Sequence, residues 1–125
     1  MILVDKSVWV DHLRLDDALV VQVLESGQGA VHAFVIGELA CGNLKSRASV
    51  VRLLQALPLL PTATDDEVLY FIDKHKLMGC GIGYVDAHLL AASTISGSLL
   101  WTRDKRLKRI ATEHGVVYPE GAQCL

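Results

Sequence analysis

The feature that most constrains the fold is the alternation of very short, unbroken apolar runs with longer stretches of helical periodicity. Ile2-Leu3-Val4 is such a run, ended at once by Asp5. It has no polar residue at alternate positions, so a strand there must be covered on both faces, as in a parallel sheet. Ala30 to His32, Leu59-Leu60 between Pro58 and Pro61, Leu99 to Thr102, and Val116 to Tyr118 repeat the pattern. Between them lie helix start and stop signals. Ser7 opens a helix through Leu13, Asp16 or Asp17 caps Ala18 to Glu25 ahead of Gly27 and Gly29, and a third helix runs from about Phe34 to Cys41, before Gly42. Ser46 begins a fourth, with Val50, Leu53, Leu54 and Leu57 in helical register. Thr64 and Glu67 form a capping box for a fifth, reaching His75. Tyr84 starts a nearly all-apolar helix ending at Gly97, and Asp104 to His114 is basic and amphipathic, stopped by Gly115. Strands alternating with helices specify an α/β fold: a central, mostly parallel sheet of four to five short strands flanked by helices on both faces.

A chain of 125 residues, 51% of them apolar, has room for one domain over 1–125. With 12 Lys and Arg against 14 Asp and Glu, its net charge of -2 excludes a wholesale basic field, so any nucleic-acid contact must rest on a local cluster. No apolar run approaches the roughly 18 residues needed to span a bilayer. The start of the chain lacks the pattern of a secretory signal, which predicts a cytoplasmic protein without membrane contact. Cys41, Cys80 and Cys124 are odd in number and lack CxxC spacing, so they are read as reduced, the first two as small packing residues. His32 and His88, without a partner at ligand spacing, are read as packing or surface residues.

Four acids stand apart by their setting. Asp5 and Asp104 follow predicted strands, where the reactive crevice of an open parallel sheet lies. Glu38 and Asp86 interrupt helical stretches that are otherwise apolar. A carboxylate buried in such surroundings must meet a cation, a hydrogen-bond network or a metal. Taken singly, each has an ordinary reading as a helix cap, a first-turn acid or a surface acid. Together they compose an all-oxygen donor set suited to Mg²⁺ or Mn²⁺, the ions of phosphate chemistry. Ser7 and Thr102 either orient the water around such an ion or cap adjacent helices. The other ten acids, Asp11, Asp17 and Glu120 among them, sit in polar or capping contexts and are read as solvated.

Ile2 to Trp9, Val35 to Leu39, Gly83 to Ala91 and Leu100 to Leu107 together resemble the PIN-domain ribonucleases, specifically the small VapC-type toxins of toxin-antitoxin pairs. The resemblance implies that Asp5, Glu38, Asp86 and Asp104 form an acidic catalytic pocket, with Asp5, Asp86 and Asp104 holding Mg²⁺ or Mn²⁺ and Ser7 and Thr102 assisting. It implies hydrolysis of RNA to a 5′-phosphate and a 3′-hydroxyl, with growth arrest as the outcome. It implies a small antitoxin whose C-terminal segment blocks the pocket, and a homodimer. Lys6 departs from the family, where Thr is more common; its ammonium would contact phosphate or weaken metal affinity.

Arg103, Lys105, Arg106, Lys108 and Arg109 surround Asp104 and give the pocket a basic rim for RNA phosphates, if they are not simply a solvated helix face. Trp9 and Trp101 read as core in preference to base-stacking platforms. Apolar residues in excess along 50–72, such as Leu53 and Leu69, would form a groove, a self-interface or an ordinary helical core. Competing classes fare worse. A signalling receiver domain needs a phosphoacceptor acid in a central strand, and no acid lies between Ala48 and Thr64; a haloacid-type phosphatase wants an acid where Ser7 stands. A catalytically silent PIN-like module that binds RNA or a partner is the alternative.

Overall fold

The computed structural model describes residues 1–120. Its elements, in order, are β1 (Ile2–Val4), α1 (Lys6–Leu15), α2 (Ala18–Glu25), β2 (Gly29–Ala30), α3 (Ala33–Ala40), α4 (Arg47–Ala56), α5 (Asp65–His75), α6 (Tyr84–Ser96), β3 (Leu99–Trp101) and α7 (Lys105–Glu113). The sheet is parallel, in the order β2-β1-β3, with Leu3 opposite both Ala30 and Leu100. Successive strand residues face opposite sides, and Ile2, Leu3 and Val4 are all buried, so β1 is covered on both faces.

The sheet has three strands among the described residues, not the four to five expected. Leu59 and Val117 each make one isolated parallel bridge, to Val31 and Leu100. Pro58 and Pro61 bracket the first segment and Pro119 follows the second. Pro58 faces the β2 side through its carbonyl, which accepts the Val31 N–H, and has no N–H with which to extend that ladder backward. The second expected strand is likewise displaced: His32 is the N-cap of α3, its Nδ1 accepting from the Phe34 N–H at 3.0 Å.

The core runs continuously from β1 and β3 through α6. Seven consecutive residues of α6, Ala87 to Ser93, are buried, which makes it the most enclosed helix of the fold; a helix apolar on every side must be surrounded. Trp9 and Trp101 are fully buried, as core residues and not stacking platforms. The capping box of Thr64 and Glu67 forms as expected. Leu54 and Val68 are buried, whereas Leu53, Leu59 and Leu69 lie about half exposed. Cys80 packs beside the core, but Cys41 is exposed, so its expected packing role is not realised; both are free thiols, and Cys124 lies outside the described residues. No described helix is long and apolar enough to cross a membrane.

Candidate active site

The β1–β3 register sets Val4 opposite Trp101, and the Asp5 N–H continues the ladder to the Trp101 carbonyl at 2.9 Å. The residues that follow each strand are therefore neighbours. Asp5 caps α1 and Asp104 caps α7, its Oδ1 accepting from the Leu107 N–H at 3.0 Å. Asp86, in the first turn of α6, accepts from the Gly83 N–H at 3.3 Å. Three helix N-termini, each with its own acid, thus meet at the carboxyl end of the sheet. Glu38 arrives from the middle of α3.

All four acids line one open cavity of about 300 Å³, together with Lys6, Ser7 and Val10. Its electrostatics are strained. Burial raises the Asp86 carboxyl above its ordinary range, the bond from Gly83 opposes this, and repulsion from Asp5, Asp104 and Glu38 adds to it. Among the described residues Lys6 is the one cation lining the cavity, yet it makes no ion pair within 4.0 Å of these acids.

Asp5 is the anchored member. It is 6% exposed, and its Oδ2 receives the Ser7 hydroxyl at 2.8 Å, the Thr102 hydroxyl at 2.8 Å and the Ser7 N–H at 3.4 Å. Each hydroxyl also accepts a backbone N–H, from Arg103 at 2.9 Å for Ser7 and from Asp104 at 3.1 Å for Thr102. A hydroxyl has a single proton. With both protons committed to Asp5, the 3.3 Å approach of Ser7 Oγ to Thr102 Oγ1 is a contact and not a further hydrogen bond. The two hydroxyls therefore position Asp5 in this arrangement, and Ser7 stands inside α1, not at its cap.

The basic rim is only partly as expected. Lys105, Arg106, Lys108 and Arg109 lie exposed on α7, whose other face buries Leu107, Ile110 and Ala111. Arg106 lies across Gly81, whose φ of +81° disfavours any other residue; a Cβ there would sit 2.9 Å from Arg106 Cδ and displace that side chain. Arg103 is withdrawn. Its guanidinium is bound by Asp11, Asp17 and Glu120 at 2.8, 2.7 and 2.6 Å, so it has no free edge for a phosphate. Its pKa is raised, first by the Glu120 bonds, and it stays charged. Burial would raise Asp17 and Glu120, but bonds from Arg103, with the Val20 and Leu19 N–H groups at Asp17 and the Trp101 indole at Glu120, hold both below their ordinary ranges. Sequence reading missed this cluster because its members are far apart in the chain.

The donor set suits a hard divalent cation in kind: carboxylates only, at mutually repelling positions. Among the described residues, however, no three His, Cys, Asp or Glu side chains stand close enough to hold an ion between them. Mg²⁺ does not require such a cage, since it is commonly held by one or two carboxylates and retains several waters. The residues fit an ion bound in that manner.

The PIN domain profile matches residues 2–113. The chain belongs to the PIN-domain family. Within that family it is of the VapC type, being 47% identical over 121 residues, 96% of this chain and 98% of the relative, to Ribonuclease VapC32 of two Mycobacterium tuberculosis strains, CDC 1551 / Oshkosh and H37Rv. The crystal structure of PAE2754 from Pyrobaculum aerophilum superposes with a TM-score of 0.63 over 86% of this chain and 82% of that one, at 20% identity, a likeness of PIN fold alone.

Proposed function

We propose that this PIN-domain protein is a Mg²⁺- or Mn²⁺-dependent endoribonuclease, the growth-arresting toxin of a toxin-antitoxin pair, acting in the cytoplasm as one domain over residues 1–125. The observation that carries the reading is the shared cavity of Asp5, Glu38, Asp86 and Asp104, with Asp86 destabilised in its charged form by burial first and further by the other three. A site that concentrates uncompensated negative charge at a sheet's carboxyl end calls for a cation. The kinship with Ribonuclease VapC32 supports RNA as the substrate.

Asp5, Asp86 and Asp104 would hold the ion, one or two of them directly and the remainder through its coordinated waters, and a bound Mg²⁺ or Mn²⁺ supplies charge that neutralises phosphate oxygens and acidifies coordinated water. Asp5 is preset for this, because its Oδ2 is saturated by Ser7 and Thr102 and its Oδ1 takes none of those bonds. Glu38 completes the set or orients the attacking water. The water oxygen bonds to phosphorus and the bond to the 3′ oxygen breaks, leaving a 5′-phosphate and a 3′-hydroxyl. Lys105, Arg106, Lys108 and Arg109 contact flanking phosphates; Arg103 does not. A cognate antitoxin blocks the cavity with its C-terminal segment, and the protein forms a homodimer. Support for the first is an apolar groove of about 510 Å³, lined by Val10, Leu13, Leu44 and Val50 among others, which adjoins the acidic cavity at Val10.

Purified protein should cleave RNA only with a divalent ion, and Asp5→Asn, which removes a charge with little change of shape, should abolish cleavage. Unchanged cleavage by that variant defeats the assignment. The absence of a closed three-acid cage leaves the silent RNA- or partner-binding module as the second reading. Calorimetric titration with Mn²⁺ separates the two, because a scaffold has no need to bind the ion.

A further inference from the structure

We propose that Arg103 is a positioning residue that sets the height of the β3–α7 loop against α1, and with it the geometry of the acidic cavity. Its neighbours in the chain, Thr102 and Asp104, belong to the site: Thr102 holds Asp5 and Asp104 lines the cavity. Arg103 grips α1 twice. Its backbone N–H donates to Ser7 Oγ at 2.9 Å, and its Nη1 donates to Asp11 Oδ2 at 2.8 Å. Ser7 and Asp11 are four residues apart, hence on one face of the helix. The side chain is then locked from two other directions. Nη2 reaches Asp17 at the α1–α2 junction and Glu120 in the C-terminal segment, while Nε shares Glu120. Glu120 is itself held by the Trp101 indole N–H at 2.9 Å, and the guanidinium lies 5.6 Å from the Trp101 ring centroid.

Three acids on one cation exceed what charge balance requires. A planar guanidinium bonded through all three nitrogens cannot rotate or slide, which is the value of arginine over lysine at such a point. The lock acts on the same backbone N–H that satisfies Ser7, whose only proton goes to Asp5. Loosening the guanidinium should therefore be felt at Asp5 and Asp104, although Arg103 touches neither carboxylate. The consequence for cleavage rests on the nuclease reading; the geometric effect does not.

The test compares Arg103→Met, Arg103→Lys and the milder Asp11→Asn with wild type. Leu54→Ala, which removes core packing in α4, serves as the control for general destabilisation, each protein being studied equally far below its own Tm. In metal-free protein, amide exchange at Arg103 and Asp104 should accelerate about tenfold in Arg103→Met, and Mn²⁺ affinity by calorimetry should fall by about the same factor. RNA cleavage should lose kcat with KM little changed. Arg103→Lys should recover only part of each effect and Asp11→Asn should fall between. Should Arg103→Met fail to fold, Asp11→Asn on its half-exposed acid carries the same test. Exchange and Mn²⁺ affinity unchanged in the variants, or equal losses in Leu54→Ala, overturn the proposal. Wild-type protein that neither binds Mn²⁺ nor cleaves RNA would overturn the nuclease reading, and the exchange measurement would still decide the role of Arg103.

Discussion

Replacing Asp86 by Asn should make the metal-free protein more stable while removing its activity. The Asp86 carboxyl has a folded pKa above its ordinary 3.8, through burial first and then repulsion from Asp5, Asp104 and Glu38. The folded state therefore holds the proton more tightly than the unfolded chain. The stability this contributes is complete below 3.8 and is lost as pH rises through the raised value, so at neutral pH the charge is a net cost. For acids around a cavity of about 300 Å³, a separation on the order of 7 Å sets the scale: two unit charges then repel by roughly 0.6 kcal/mol at the dielectric constant of water and about 2.4 kcal/mol at an effective value of 20. Three such neighbours around an open cavity, taken near the lower bound and discounted for salt, amount to roughly 1.5 kcal/mol. Asn keeps an oxygen for the Gly83 N–H but gives up the charge–dipole interaction at the start of α6, about 0.5 kcal/mol. The net gain of about 1 kcal/mol corresponds to a Tm higher by roughly 3–6 °C in a chain of this size. The assay is thermal unfolding at neutral pH with a chelator, repeated in excess Mn²⁺. An ion at about 100 times its Kd adds about 2.7 kcal/mol to the protein that binds it, so wild type should overtake the variant when metal is present. A variant that melts below wild type in chelator would show that burial and repulsion at Asp86 are not the dominant effects.

The remaining predictions concern substrate and pH. Lys108→Ala should weaken binding to single-stranded RNA similarly for all sequences and reduce the slope of log affinity against log salt by about 0.7, whereas Arg103→Ala should leave that slope unchanged; a filter-binding salt series decides it. Burial, with repulsion from His88, lowers the pKa of His32, and burial lowers that of His88 against the pull of Asp65. For a histidine with a depressed folded pKa, stability is full above the ordinary value of 6.5 and is lost as pH falls below it. The Tm in chelator should therefore decline as pH falls below 6.5. Both ring nitrogens of His88 are buried without a hydrogen-bond partner, so His88→Phe should reduce the decline without losing a bond. An identical pH profile in that variant would contradict the assignment.

The sequence by itself determined most of the local structure, and with it the candidate acids. A cap is a contact between residues two or three positions apart, so Asp5 and Asp104 could be read as caps, and Asp86 as a first-turn acid, from their immediate neighbours. The structure shows that capping and lining the cavity are the same placement for Asp5 and Asp104, because α1 and α7 start where β1 and β3 end. Glu38 was legible from its apolar surroundings, since a charge there must be compensated. The β-branched run of Ile2 to Val4 likewise announced a strand covered on both sides.

Only the tertiary structure decided the rest. Five cations in a row around Asp104 look alike in sequence, yet Arg103 is withdrawn from the rim by Asp11, Asp17 and Glu120, which lie 92, 86 and 17 positions away. That Ser7 and Thr102 both hold Asp5 depended on the 97-residue contact between Thr102 and Asp5 that the β1–β3 register creates. The number of strands turned on whether two proline-flanked segments could pair beyond a single bridge. Hydrogen bonds within a helical turn are dictated by neighbours along the chain, whereas an ion pair or a strand register is chosen among distant partners by how the whole chain packs.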